Sequence, residues 1–111
     1  MSSILTDTKK LLGIDAEVTN FDTDIIININ SALMFLNQLG VGPEACFTIT
    51  GSEEEWDDFD STGNVEAVKL YVVLKTKLTF DPPSNSASIE AYERQIRELE
   101  FRLNIQSEGG S

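Results

Sequence analysis

Histidine is absent from this 111-residue chain, and cysteine occurs once. Without imidazole there is no ordinary general base near neutral pH, and no triad or metal centre that depends on one. The single Cys46 cannot close an intrachain disulfide, and its expected place is that of a small buried apolar residue rather than a nucleophile. No glycine-rich phosphate loop is present. The opening MSSILTDTKK has no basic region ahead of a long apolar run, so no signal peptide is expected, and the reading is of a protein inside a cell or in a particle assembled there.

Positive charge is also scarce. Eight Lys and Arg stand against nineteen Asp and Glu, a formal net charge of -11. The deficit is local: from Asp15 to Glu66 the chain has twelve acidic residues and no Lys or Arg, whereas the remainder from Ala67 balances six against six. Such a surface repels a phosphate backbone at contact range, which excludes specific nucleic-acid binding through a basic face. It suits a passage through which DNA slides without sticking, or simply keeps the protein soluble.

What the chain does have is helical patterning, strongest in FDTDIIININSALMFLNQLG, residues 21–40. Asp22 is expected as N-cap, with Phe21 and Ile26 forming a hydrophobic staple, Asp24 in the first turn and Gly40 at the far end. The helix would be roughly 27 Å long. Ile25, Ile29, Ala32, Leu33, Leu36 and Leu39 form a broad core-facing arc, extended by Ile26 and Phe35. Ile27 and Met34 stand on the other side among Asn30, Ser31, Asn37 and Gln38, and no charge occurs between Ile25 and Pro43. A helix apolar on one face and uncharged on the other is covered on both, by its own chain or by a partner. A membrane span is disfavoured, because the repeated Asn and Gln would be expensive in hydrocarbon.

Around it, the fold class reads as all-α: a small bundle of about four helices, roughly 3–12, 22–39, 65–80 and 87–105, with an irregular acidic loop over 41–63. One domain is expected over 1–106 and a flexible tail over 107–111. Ser2 or Ser3 caps the first helix, Ile4, Leu5, Thr8, Leu11 and Leu12 line its inner side, and Lys9 and Lys10 lie toward its negative end. In the loop, Ala45, Phe47 and Ile49 alternate with Cys46, Thr48 and Thr50, which fits a short extended segment with no partner strand, an edge where another chain could add. Ser52 and Glu55 fit a capping box before a helical turn that places Trp56 and Phe59 on one side, where two aromatics amid six acids read as an anchor to the core in preference to a ligand site.

Over 65–80, Asn64 is a plausible cap and Ala67, Leu70, Tyr71, Leu74 and Leu78 make a helical stripe, while Val65, Val72 and Val73 fall away from it. Leu74, Thr76, Leu78 and Phe80 also alternate, so a strand competes; the length favours helix. Pro82 and Pro83 end it. In the last helix Ile89, Tyr92, Ile96, Leu99 and Leu103 make a coiled-coil seam, and Glu90–Arg94, Glu93–Arg97 and Glu98–Arg102 are spaced for i,i+4 pairs.

Asp58, Asp60, Thr62, Gly63 and Glu66 track the opening of a calcium loop, but the twelfth position is Lys69, which argues against calcium. Carboxylate pairs such as Glu54 and Asp58 read as solvated surface. No catalytic constellation, cofactor site or metal site is expected, and the chain reads as not an enzyme.

The order of segments resembles the small head-tail connector proteins of tailed bacteriophages. The likeness runs from about Leu5 to Asn104. It is carried by LNQLGVGP and by KLTFDPP followed by the ERQIRELEFRLN helix. The resemblance implies an α-helical adaptor in the virion neck, assembled in host cytoplasm as a dodecameric ring beneath the portal protein. The ring joins the portal to a stopper or head-completion protein and leaves a channel for DNA. On that footing Ile27, Met34, Val72 and Val73 are expected at the subunit interface, and Phe101, Arg102 and Ile105 at the portal. Glu53, Glu54, Glu55, Asp57, Asp58 and Asp60 are expected to face the lumen or the stopper. The competing reading is a stand-alone acidic module that mimics DNA charge and occupies a basic partner.

Overall fold

The computed structural model describes residues 3–43, 45, 47–59 and 65–109, the last five by backbone alone. Five helices are present among them: α1 (Ile4–Leu11), α2 (Asp22–Gln38), α3 (Trp56–Phe59), α4 (Val65–Phe80) and α5 (Ser86–Gly109). The all-α expectation holds, with the four longer helices where they were expected and the one-turn α3 inside the acidic loop. Helix α5 runs to Gly109, three residues into the stretch expected as tail. Among the described residues, no helix is long and apolar enough to cross a membrane.

The helix ends follow local chemistry. The Ser3 hydroxyl accepts the Thr6 amide at the head of α1. Both α1 and α2 close on a left-handed glycine, Gly13 at φ 83° and Gly40 at φ 85°. In each the amide beyond the glycine reaches back five residues, Ile14 to Lys9 O and Val41 to Leu36 O. Asn85 caps α5 through the Ser88 amide.

The start of α2 departs from expectation. Asp22 is the first helical residue, not the cap. Phe21 holds that position and has no capping side-chain hydrogen bond. The Asp22 carboxylate is engaged elsewhere, 2.7 Å from the Lys9 ammonium. Lys9 is only 3% exposed, and its Nζ also donates to the carbonyls of Val18 at 2.6 Å and Ala16 at 3.2 Å. Two carbonyl hydrogen bonds and one ion pair thus hold the ammonium, and a buried cation ties the α1–α2 connection to both helices. Leu11, expected inside, is exposed instead.

One apolar core joins Ile4 and Leu5 of α1, Ile25, Ile29, Leu33 and Leu36 of α2, Trp56 and Phe59 of α3, Val68, Tyr71 and Val72 of α4, and Ile96 and Leu103 of α5. The expected seam of α5 and arc of α2 therefore do face inward. Helix α4 lies between α2 and α5 and also touches α1 and α3. Its buried residues, Val68, Tyr71, Val72, Leu74 and Thr76, cover most of its circumference, with Val65, Ala67, Leu78 and Phe80 partly covered. The expected stripe is thus rotated, and its member Leu70 is exposed. A helix enclosed on several sides has no single apolar stripe, which is why the sequence of α4 allowed a strand.

The result is a slab of about 40 × 35 × 19 Å. Its short dimension fits about two helix diameters. Helices α2 and α5 each turn an apolar side toward α4 and an outward flank away from it, the α2 edge and the α5 edge, and they meet where Asn104 Nδ2 of α5 donates to Leu39 O at 3.2 Å.

Candidate interaction surfaces

Helix α2 carries the clearest uncovered face. Ile27 is 61% exposed and Met34 49%, in line with exposed Ser31 and Gln38 and bordered by Phe35. On one flank of that stripe the chain covers itself. Asn30 pairs with the backbone of Ile49 through both ends of its amide, Ile49 N–H to Oδ1 at 2.7 Å and Nδ2–H to Ile49 O at 3.0 Å. Asn37 donates to Pro43 O at 3.0 Å. The extended segment expected at 45–50 therefore has a partner after all, a side-chain amide standing in for a strand. Ile27 and Met34 lie beyond its reach.

The other residues expected at a subunit interface fare differently. Val72 is fully enclosed in the core, because α4 is covered on that side by the chain's own helices and not by a neighbouring copy; it offers no surface contact. Val73 is half-buried. Phe101 projects from α5 at 66% exposure, and Arg102 is exposed and paired with Glu98. The side chain of Ile105 lies outside the described residues. Beside Arg102 a groove of about 170 Å³ runs between α4 and α5, lined by Leu70, Gln95, Glu98, Leu99 and Arg102.

The acidic segment is bound to the body of the protein. The Ile4 amide donates to Glu54 O, and Ser3 and Glu55 form a single antiparallel bridge. Trp56 Nε1 donates to Asp7 Oδ2 at 2.9 Å, with the Lys69 ammonium 3.5 Å from the same oxygen and 5.8 Å from the indole ring centre. Trp56 and Phe59 are buried, as an anchor requires.

The capping box is shifted by three residues: Asp58 accepts the Glu55 amide, making Glu55 the cap in place of Ser52. Glu54 instead closes the preceding turn, accepting from the amide and hydroxyl of Thr50 and the amide of Gly51. Its slight burial pushes its pKa up, but these bonds and its own amide outweigh that and hold the carboxyl below the usual range. Glu53, Asp57 and Asp58 are exposed, and Glu54 and Glu55 half-buried. Asp60 lies outside the described residues, as do Thr62 and Gly63 of the calcium-loop pattern, Cys46 and the Asn64 cap. Among the described residues no three acidic or cysteine side chains converge as a metal site needs.

Two features were not anticipated. One is an open pocket of about 470 Å³ where the start of α2 meets the end of α4, lined by Phe21, Asp24, Ile27, Asn28, Thr79 and Phe80. Phe21 and Phe80 form its aromatic wall, edge to face with ring centres 5.6 Å apart. The signal available was Phe21 standing one residue before the helix, read as a staple. The other is on α4, where the Tyr71 ring stacks on Phe35 and its hydroxyl donates to Glu100 at 2.9 Å. Burial first, then that bond and the Glu100 charge, drive the Tyr71 pKa far up.

Fold and surface together define a class first: a small, acidic, all-helical protein with uncovered apolar helix flanks. The chain belongs to the phage connector protein family, whose model matches residues 4–110. Comparison with curated proteins finds no match, and comparison with solved structures finds none either.

Proposed function

We propose that the chain is a structural adaptor of the phage neck, a subunit of a ring, dodecameric by the resemblance noted above, that joins the portal to the stopper or tail component and leaves a channel for DNA. The observation that carries this reading, beside family membership, is the bare uncharged face of α2. Ile27 is 61% and Met34 49% exposed, so burying what remains of both against a neighbour would contribute about 2–3 kcal/mol per contact, at about 1.5–3 kcal/mol for a whole large apolar side chain. That is enough to matter in a repeated interface and is unrecovered in a lone subunit. Val73 extends the contact.

The α5 end, with Phe101, Arg102 and Ile105, meets the portal, and the exposed carboxylates of the segment from Glu53 to Asp60 face the channel or the stopper. Their charge lets DNA pass without adhering. The role is structural, not enzymatic, its place is the virion, and its partners are its own copies and adjoining head and tail proteins.

Native mass spectrometry of the purified chain, alone and mixed with a portal protein, tests this. Rings or a portal-bound assembly of many copies are expected, and Met34→Asp should abolish them while circular dichroism stays unchanged. A Met34→Asp chain that assembles normally overturns the α2 assignment. A wild-type chain that neither self-associates nor binds a portal overturns the adaptor reading.

A further inference from the structure

The two edges of the slab differ in chemistry. On the α2 edge, the pocket between Phe21 and Phe80 has Ile27 on its floor side, Asp24 and Asn28 as its polar groups and no cation in its lining. Asp24 is exposed and makes no ion pair among the described residues. On the α5 edge, the sequence spaces Glu90 with Arg94 and Glu93 with Arg97, yet Glu98–Arg102 is the ion pair formed along that helix among the described residues. Arg94 and Arg97 are both exposed, one turn apart on the outward side. Of the chain's eight cations, Lys9, Lys69, Lys77 and Arg102 are held by acids and Lys75 lies over Phe35 and Tyr71. That leaves Lys10, Arg94 and Arg97 without an ion pair among the described residues, and the two arginines are the pair on an outer edge.

We propose that the α2 edge of one subunit docks on the α5 edge of the next copy, with the partner's Arg94 and Arg97 reaching Asp24 across the Phe21–Phe80 pocket. The chemistry matches arginine in particular. A planar guanidinium stacks on aromatic rings, lays its aliphatic stem along apolar surface, and presents a fork to a carboxylate and an amide oxygen. The open pocket supplies all of these surfaces: two rings, the apolar Ile27, the Asp24 carboxylate and the Asn28 amide. Because the two edges are different surfaces, the contact is head to tail and repeats from copy to copy, instead of pairing two subunits about a two-fold axis. This rests on the adaptor reading only in taking a second copy as the occupant. It names which edge meets which.

Sedimentation of the full chain over a range of concentration and salt decides it. Wild type should self-associate, more weakly as salt rises. Asp24→Arg alone, and Arg94→Asp with Arg97→Asp, should each weaken association about tenfold or more, as loss of a close charge pair across an interface does. Combining the three substitutions should restore it. All three side chains are exposed, so circular dichroism should stay unchanged. A wild-type chain that stays monomeric, single-edge variants that associate as wild type, or a combined variant without recovery would each overturn the pairing. If Met34→Asp disrupts assembly while Asp24→Arg leaves it intact, the α2 face remains an interface and this pairing with α5 is wrong.

Discussion

Asn30 and Ile49 are paired as two strand residues would be, although neither belongs to a strand: the carboxamide of one gives and receives the backbone hydrogen bonds of the other. Ile49 is 1% exposed, so losing this partner leaves a buried amide and carbonyl unsatisfied. Asn30→Ala should cost about 1–3 kcal/mol, read as a lower urea midpoint with unchanged slope. Hydrogen exchange at the Ile49 amide should accelerate more than the global loss explains. Asn30→Asp, which keeps the acceptor and loses the donor, should fall between.

Lys9 gives the second prediction. Lys9→Met keeps much of the aliphatic stem but strands the Asp22 carboxylate and the carbonyls of Ala16 and Val18. Asp22 is about a quarter exposed, so the loss should be about 2–3 kcal/mol, below that of a fully buried broken pair. Adding Asp22→Leu should recover part of it. A Lys9→Met chain as stable as wild type in urea would show that the ammonium contributes nothing net.

Gly42 is the third. Its φ is +91°, and a Cβ there would lie 2.5 Å from Phe59 Cζ. Gly42→Ala therefore combines a backbone conformation that L residues avoid with a clash against a buried ring. A destabilisation of about 2–4 kcal/mol is expected from the two costs together, while Gly13→Ala, with open space around it, should show only the smaller conformational part.

Tyr71 sets the alkaline limit. Its pKa is raised in the folded chain by burial, the Glu100 bond and the Glu100 charge. The sign follows: below the unfolded value near 10 the phenol is neutral in both states and the stabilisation is complete. Above that value the unfolded chain releases the proton first and stability falls with rising pH. Urea midpoints at pH 9 and pH 11 should differ more for wild type than for Tyr71→Phe, and equal differences would refute the assignment.

Much of the architecture was legible in the sequence because it depends on period and punctuation. The arc of α2, the seam of α5 and the glycines at 13 and 40 are all local signals, and the fold obeys them. What the sequence concealed depends on partners distant along the chain. Asp22 looks like a cap until Lys9, thirteen residues earlier, is placed beside it. The polar flank of α2 looks open until the segment after Pro43 folds back onto Asn30. Leu70 and Val72 exchanged expected places, since a helix with neighbours on several sides gives no phase by which to orient it. Of the candidate contact surfaces, Ile27 and Met34 were readable as a face that the rest of the chain does not cover. The Phe21–Phe80 pocket was not, because its halves lie far apart in sequence.

Lys9 also gives this protein a built-in clock. Of five primary side-chain amines, this one is walled in, held by two carbonyls and a carboxylate, so an acylating reagent can modify it only while the corner between the first two helices is ajar. Its labelling rate, set against that of its neighbour Lys10 in the open, would count those openings one event at a time.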